Sequence, residues 1–127
     1  MSEKAIRTLF IDIDGTLVKY MGGGHKQVMH QTHELLPGVL ERMRLWEAQG
    51  HNIILTTGRR ESVRERTESE LQRLGIPYDT LLMGLVDGGR VVINDIGSVG
   101  NKAFSVNLVR DAGWGATDWE AVGLANP

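Results

Sequence analysis

Leu9-Phe10-Ile11-Asp12-Ile13-Asp14-Gly15-Thr16-Leu17 is the stretch from which the fold can be read. An apolar run delivers two carboxylates at i and i+2, then breaks at a glycine. Leu9, Phe10 and Ile11 do not alternate with polar residues, so the run reads as a central strand covered on both faces. Unpaired buried carboxylates are costly, so two acids at the end of such a strand need a reason. At the carboxyl edge of a parallel sheet that reason is usually a site. Gly15 lets the backbone turn sharply beside the acids. Two hard oxygen ligands suit Mg²⁺, and the N–H groups of the following turn suit a phosphate.

Working outward, the 127 residues imply one domain spanning 1–127, with a sizeable core and little left for a second module. Charged residues make up 24% and the net charge is −2, which argues against a global field for nucleic acid or membrane. The absence of cysteine excludes disulfides and thiolate metal sites and fits a reducing compartment. Met1 to Ala5 carries no apolar core of a signal peptide, and no run is long enough to span a bilayer. The expectation is a soluble, cytoplasmic protein.

Residues 19–36 change character. Met21-Gly22-Gly23-Gly24-His25-Lys26-Gln27 is a glycine-rich loop with a large ordering entropy. His25, His30 and His33 follow no ligand spacing and read as solvated loop histidines, although a loop residue can also meet substrate. Leu36-Pro37-Gly38 ends the loop. Val39, Leu40, Met43 and Trp46 then recur at helical spacing up to Gln49, with Gly50 as the stop. His51 to Arg59 reads as a second strand closing on Thr56-Thr57-Gly58-Arg59. Residues 60–74 read as a helix whose buried face is Val63, Thr67, Leu71 and Leu74. Its charges, Glu70 among them, read as a solvated face. Gly75 and Pro77 end it. Thr80 to Met83, Arg90 to Asp95 and Ala103 to Leu108 read as third, fourth and fifth strands. The tail, 109–127, brings Trp114 and Trp119, which suggest packing on the domain or on a neighbouring subunit.

Strands alternating with helices indicate a parallel α/β sheet. Asp12, Asp14, Gly15 and Thr16 after an apolar strand match the D-x-D-G-T signature of the haloacid dehalogenase superfamily, which the chain resembles from about Leu9 to Asp95. Thr57, with Thr56 as the fallback register, resembles the superfamily's second motif, and Asp95 its fourth. The resemblance implies a Rossmann-like three-layer α/β/α sandwich with about five parallel strands. Residues 19–36 form a flap too short to be a cap domain, so the site stands open or is shielded by a second copy of the chain.

The roles implied by the resemblance are specific. Asp12 is the nucleophile that forms an aspartyl-phosphate, and Asp14 the general acid and base. Mg²⁺ is held by Asp12, the Asp14 carbonyl and Asp95. Thr57, Arg59 and the N–H groups of Ile13, Asp14 and Gly15 bind the phosphate. Leu85 stands where such enzymes often carry a lysine, and Asn94 where a second acid often precedes Asp95. Three carboxylates and a phosphate need more positive charge than one Mg²⁺ brings. Lys102 or Arg90 is expected to supply it, Lys102 being preferred because Arg90 begins its strand at the far edge.

The activity so implied is a Mg²⁺-dependent phosphatase acting on a small phosphorylated metabolite such as a sugar phosphate. A nucleotide or polynucleotide phosphatase is an alternative, opposed by the lack of basic and aromatic surface. A second alternative is a weakly catalytic or non-catalytic phospholigand-binding or assembly protein on the same fold, which Leu85 and Asn94 favour.

Overall fold

Thr8–Asp12 forms β1, and the parallel strand β2, Asn52–Thr56, runs beside it with Ile11 opposite Leu55 and Asp12 opposite Thr56. The computed structural model describes residues 5–22, 32–86, 88–98 and 100–124. Between the two strands lies helix α1, Val39–Ala48. A 3₁₀ turn, Glu61–Val63, leads into helix α2, Arg64–Leu74, and then into β3, Thr80–Leu82. β3 pairs in parallel with β2, giving the order β1-β2-β3. Gly75 closes α2 in the left-handed region at φ 75°, and Gly50 follows α1 at φ 87°, as the helix-stop reading requires.

The register makes the sheet two-faced. Leu9, Ile11, Ile53, Leu55 and Leu81 share one side, and of these all but the half-buried Leu9 are buried. Parallel crossovers are right-handed, and with strands in sequential order both helices then lie on one side. Val39, Met43 and Trp46 of α1 and Leu71 of α2 join those strand residues in a single core. On the opposite side Phe10 is 62% exposed and Leu82 41%.

Three expectations therefore change. β1 has a strand partner on one side only, so it is an edge strand among the described residues, and its apolar run is buried on one face instead of two. The expected fourth and fifth strands are irregular: Arg90–Asp95 and Ala103–Leu108 carry no strand pairing, and Val91 and Ile93 are 84% and 89% exposed. Among the described residues the arrangement is three parallel strands and two helices, and the five-stranded three-layer sandwich is not seen there. The physical reason is that apolar alternation specifies a half-buried strand only when a partner edge is taken up. Residues 23–31 of the flap, with His25 and His30 among them, lie outside the described residues. No helix among the described residues is long and apolar enough to cross a membrane.

The tail packs on the domain through its aromatic rings. Trp114 and Trp119 are buried against Trp46 of α1, with the three ring centroids 5.0 to 5.3 Å apart, two of the pairs edge-to-face. Removing one ring leaves a hole the other two cannot fill. Trp119→Ala is expected to cost about 3–5 kcal/mol in chemical denaturation.

His51 ties the start of β2 to that of β1 by accepting the Arg7 N–H at Nδ1, 3.0 Å away. Burial, with the Arg7 charge adding to it, holds the imidazole below its ordinary value of 6.5. The folded state thus binds this proton less readily than the unfolded chain. Its stabilisation is present above the unfolded value and is lost as pH falls through the depressed folded one. The urea midpoint should drop on acidification through that window, and His51→Asn should flatten that part of the curve. An unaltered curve in the variant would assign the drop to other groups.

Candidate active site

Where β1 ends, the chain winds tightly around the Ile13 carbonyl. That oxygen accepts the N–H groups of Leu17 at 2.9 Å and of Thr16 and Val18 at 3.2 Å. Gly15, at φ 85°, makes the turn in a conformation side chains rarely adopt, and its N–H donates to the Val18 carbonyl at 2.7 Å. Ile13, Leu17 and Val18 are wholly buried, so the turn is anchored from below and displays Asp12 and Asp14 at the strand's end.

The two acids have different surroundings. The Asp12 side chain is surface-accessible on one side, but the protein beneath it removes water. This desolvation pushes its carboxyl above the ordinary aspartate value, against the Ile13 N–H bond and the Arg90 and Arg110 charges. Asp14 is gripped by Arg59, whose Nη2 donates to Oδ1 at 2.8 Å and Nε to Oδ2 at 3.0 Å. This two-pronged arrangement is the strongest geometry available to a carboxylate and a guanidinium.

Arg59 is itself buried and bonded on its other side. Its Nη1 donates to Thr67 Oγ1 at 3.2 Å and to Glu70 Oε1 at 3.3 Å. Glu70 Oε2 lies 2.8 Å from His33 Nδ1, and His33 Nε2 lies 3.9 Å from Asp14 Oδ1. Burial alone would lower the Arg59 value, but the bonds to Asp14 and the Glu70 charge raise it above that of a free guanidinium. Asp14, Arg59, Glu70 and His33 thus form one charged, largely buried cluster beneath the acids.

Two sequence readings are corrected here. His33 is not a solvated loop residue: it is 2% exposed and bonded to Glu70. Glu70 is not on a solvated face: it is 8% exposed and points inward beside Thr67 and Leu71. Glu70 falls seven residues after Val63, on the buried stripe of α2. An acid on such a stripe calls for a buried cation, and that signal is present in the sequence.

The other expected site residues are placed as follows. Thr57 is buried, its Oγ1 accepts the Arg59 N–H at 3.0 Å, and its N–H donates to Leu82. Thr56 pairs with Leu82 in the sheet. Of the turn amides, that of Gly15 is taken by Val18 and that of Ile13 by the Asp12 carboxylate. Asp95 and Lys102 are exposed and paired with each other at 2.6 Å. Lys102 thus meets Asp95 at the surface, whereas the charges of Arg90 and Arg110 reach Asp12. No three His, Asp or Glu residues gather to hold a metal ion among the described residues. Asp12 and the Asp14 carbonyl make up only part of the oxygen set that Mg²⁺ requires.

No protein-family model matches the chain, and no curated protein matches it. Among solved structures it is similar to a chain of the Pnkp1/Rnl/Hen1 complex, at 28% identity and a TM-score of 0.56 over 70% of this chain. It is also similar to a chain of the Pnkp1/Rnl/Hen1 RNA repair complex, at 30% identity and a TM-score of 0.55 over 67% of this chain. This chain spans 32% and 28% of their lengths, about a third or less. A crystal structure of a Vibrio cholerae protein matches 93% of this chain and 94% of its own length, with a TM-score of 0.54 and 19% identity, which shows the fold alone.

Glu70→Ala would leave Arg59 buried with half its charge partners. Breaking a buried pair from one side costs about 3–5 kcal/mol, so urea denaturation should show a loss of that order. Glu61→Ala, which removes an exposed partner of Arg64, should leave the midpoint nearly unchanged. Equal effects for the two substitutions would contradict the burial argument.

Proposed function

We propose that this chain is a phosphatase domain of the haloacid dehalogenase type that removes a terminal phosphate from a polynucleotide, RNA in the first place. The observation that carries the chemistry is an exposed Asp12, with no side-chain clamp among the described residues, two residues from an Asp14 held at both oxygens by Arg59. Support for the substrate class comes from the likeness to chains of an RNA repair complex. It also comes from the gathering of Arg59, Arg90 and Arg110 around the two acids, a local positive field in a chain of net charge −2. The polynucleotide reading thereby displaces the sugar-phosphate one.

Asp12 forms a bond to phosphorus as the ester P–O bond breaks, giving an aspartyl-phosphate. Asp14 delivers a proton to the departing oxygen, then takes one from the water that attacks phosphorus and frees Asp12. Because both Asp14 oxygens are bonded to Arg59, one of these bonds must open each time a proton passes. The Arg59 fork returns the carboxylate to one orientation between steps. Mg²⁺, where bound, would rest on Asp12 and the Asp14 carbonyl and would neutralise phosphate charge. Asp95, the third ligand the resemblance implies, is paired with Lys102.

The test is phosphate release from a 3′-phosphorylated RNA, a 5′-phosphorylated RNA, the matching DNAs, a hexose phosphate and an aryl phosphate, with Mg²⁺ and with EDTA. Metal-dependent release from one class of polynucleotide end is expected, at least about a hundredfold above the hexose phosphate in kcat/KM. Asp12→Asn should abolish it with the fold retained. Full activity in that variant would end the mechanism, and preference for the hexose phosphate would restore the small-metabolite reading. The Asp95–Lys102 pair and the uncharged Leu85 favour a phospholigand-binding protein as the second reading, which an inert panel would select.

A further inference from the structure

Two acids and a dianionic phosphate at one strand end require positive charge, of which Arg90 supplies part at Asp12. Leu85 carries no charge, and Lys102 Nζ is 2.6 Å from Asp95. The tail brings another cation to the turn. Asp111 donates its N–H to the Gly15 carbonyl at 2.9 Å and accepts the Tyr20 N–H at Oδ1, 2.7 Å away. These two bonds stitch the tail to both sides of the turn that follows β1. Asp111 holds a left-handed φ of 65°, a conformation that aspartate adopts more readily than most residues with a side chain. The residue before it, Arg110, lies over Gly15: a Cβ built on that glycine would meet the Arg110 Cγ at 3.0 Å.

The Arg110 guanidinium stands 4.0 Å from the centroid of the Tyr20 ring, which is itself 44% exposed. Among the described residues Arg110 makes no ion pair with a carboxylate. An arginine stacked on an aromatic face keeps its in-plane N–H fork free for an oxyanion. The ring thus orients the fork over the Gly15 turn that follows Asp12 and Asp14.

We infer that Arg110, seated over Gly15 and steadied by Tyr20, binds the phosphate group that is presented to Asp12. The inference rests on the reading of Asp12 as the group that faces phosphate. Tyr20 is a positioning residue: it contacts the guanidinium and not the ligand. Gly15 then has two reasons to be glycine, the positive φ of the turn and the space Arg110 occupies.

The test is calorimetric titration of inorganic phosphate into the full chain and its Arg110→Gln, Arg110→Lys, Tyr20→Leu and Lys102→Gln variants, each checked for a wild-type melting temperature. Arg110→Gln should weaken phosphate binding by about tenfold to a hundredfold, the range of a charged hydrogen bond. Arg110→Lys should restore part of the loss, because it keeps the charge without the fork. Tyr20→Leu should weaken binding less than Arg110→Gln, and Lys102→Gln should not change it. If Arg110→Gln does not fold, Arg110→Lys and Tyr20→Leu carry the comparison. Wild-type affinity in the folded Arg110 variants, or no phosphate binding by the wild type, would overturn the inference. Arg110-dependent binding without turnover of any ester would sink the proposed catalysis and leave this inference standing. Asp12-dependent turnover indifferent to Arg110 would do the reverse.

Discussion

The grip of Arg59 on Asp14 is the constraint on which the rest of the site depends. A guanidinium is costly to bury, and this one is almost wholly covered. It is tolerable only because Asp14, Thr67 and Glu70 saturate its donors, and Glu70 in turn is held by His33. These partners come from three different parts of the chain: the turn after β1, helix α2, and the segment that enters α1. The cluster therefore couples the placement of the site's second acid to the packing of the whole domain. It also supplies the local charge balance that the core could not otherwise accept.

Asp12 differs because nothing comparable holds it. Its carboxylate meets the Ile13 N–H and the more distant charges of Arg90 and Arg110. One acid is fixed and one is left available two residues apart on the same strand end, and that asymmetry assigns two roles to two identical side chains. The turn that separates them depends on Gly15, whose left-handed backbone both closes the loop onto Val18 and admits Arg110 from above.

The tail matters more than its composition implies. The three-tryptophan cluster anchors it to α1, and the bonds from Asp111 to Gly15 and Tyr20 carry it on to the acids. A net charge of −2 gives no hint of this, because charge summed over a chain says nothing of where the arginines converge. Among the described residues the sheet stops at three strands, and the face bearing Phe10 is left open. The apolar residues of 90–95 and 103–108 have the composition of strands without the pairing.

Local signals were enough for the elements themselves. The acid pair and glycine after an apolar run, the helical stripe from Val39 to Trp46, the stop at Gly75 and the strand before Gly58 all appear where their residue patterns put them. Each depends on interactions within a few residues, so the sequence by itself determined β1, α1, β2, α2 and β3 and the turn that displays Asp12 and Asp14. The partners of those acids are another matter. His33 and Glu70 are 37 residues apart, and Tyr20 and Asp111 are 91 apart. Whether an acid on a helix stripe is solvated or buried, and that Lys102 meets Asp95 while Arg110 lies over Gly15, follows from how the elements are brought together. Only the tertiary structure decided these, because a charge's partner is selected by distance in space, and desolvation acts on the assembled surface.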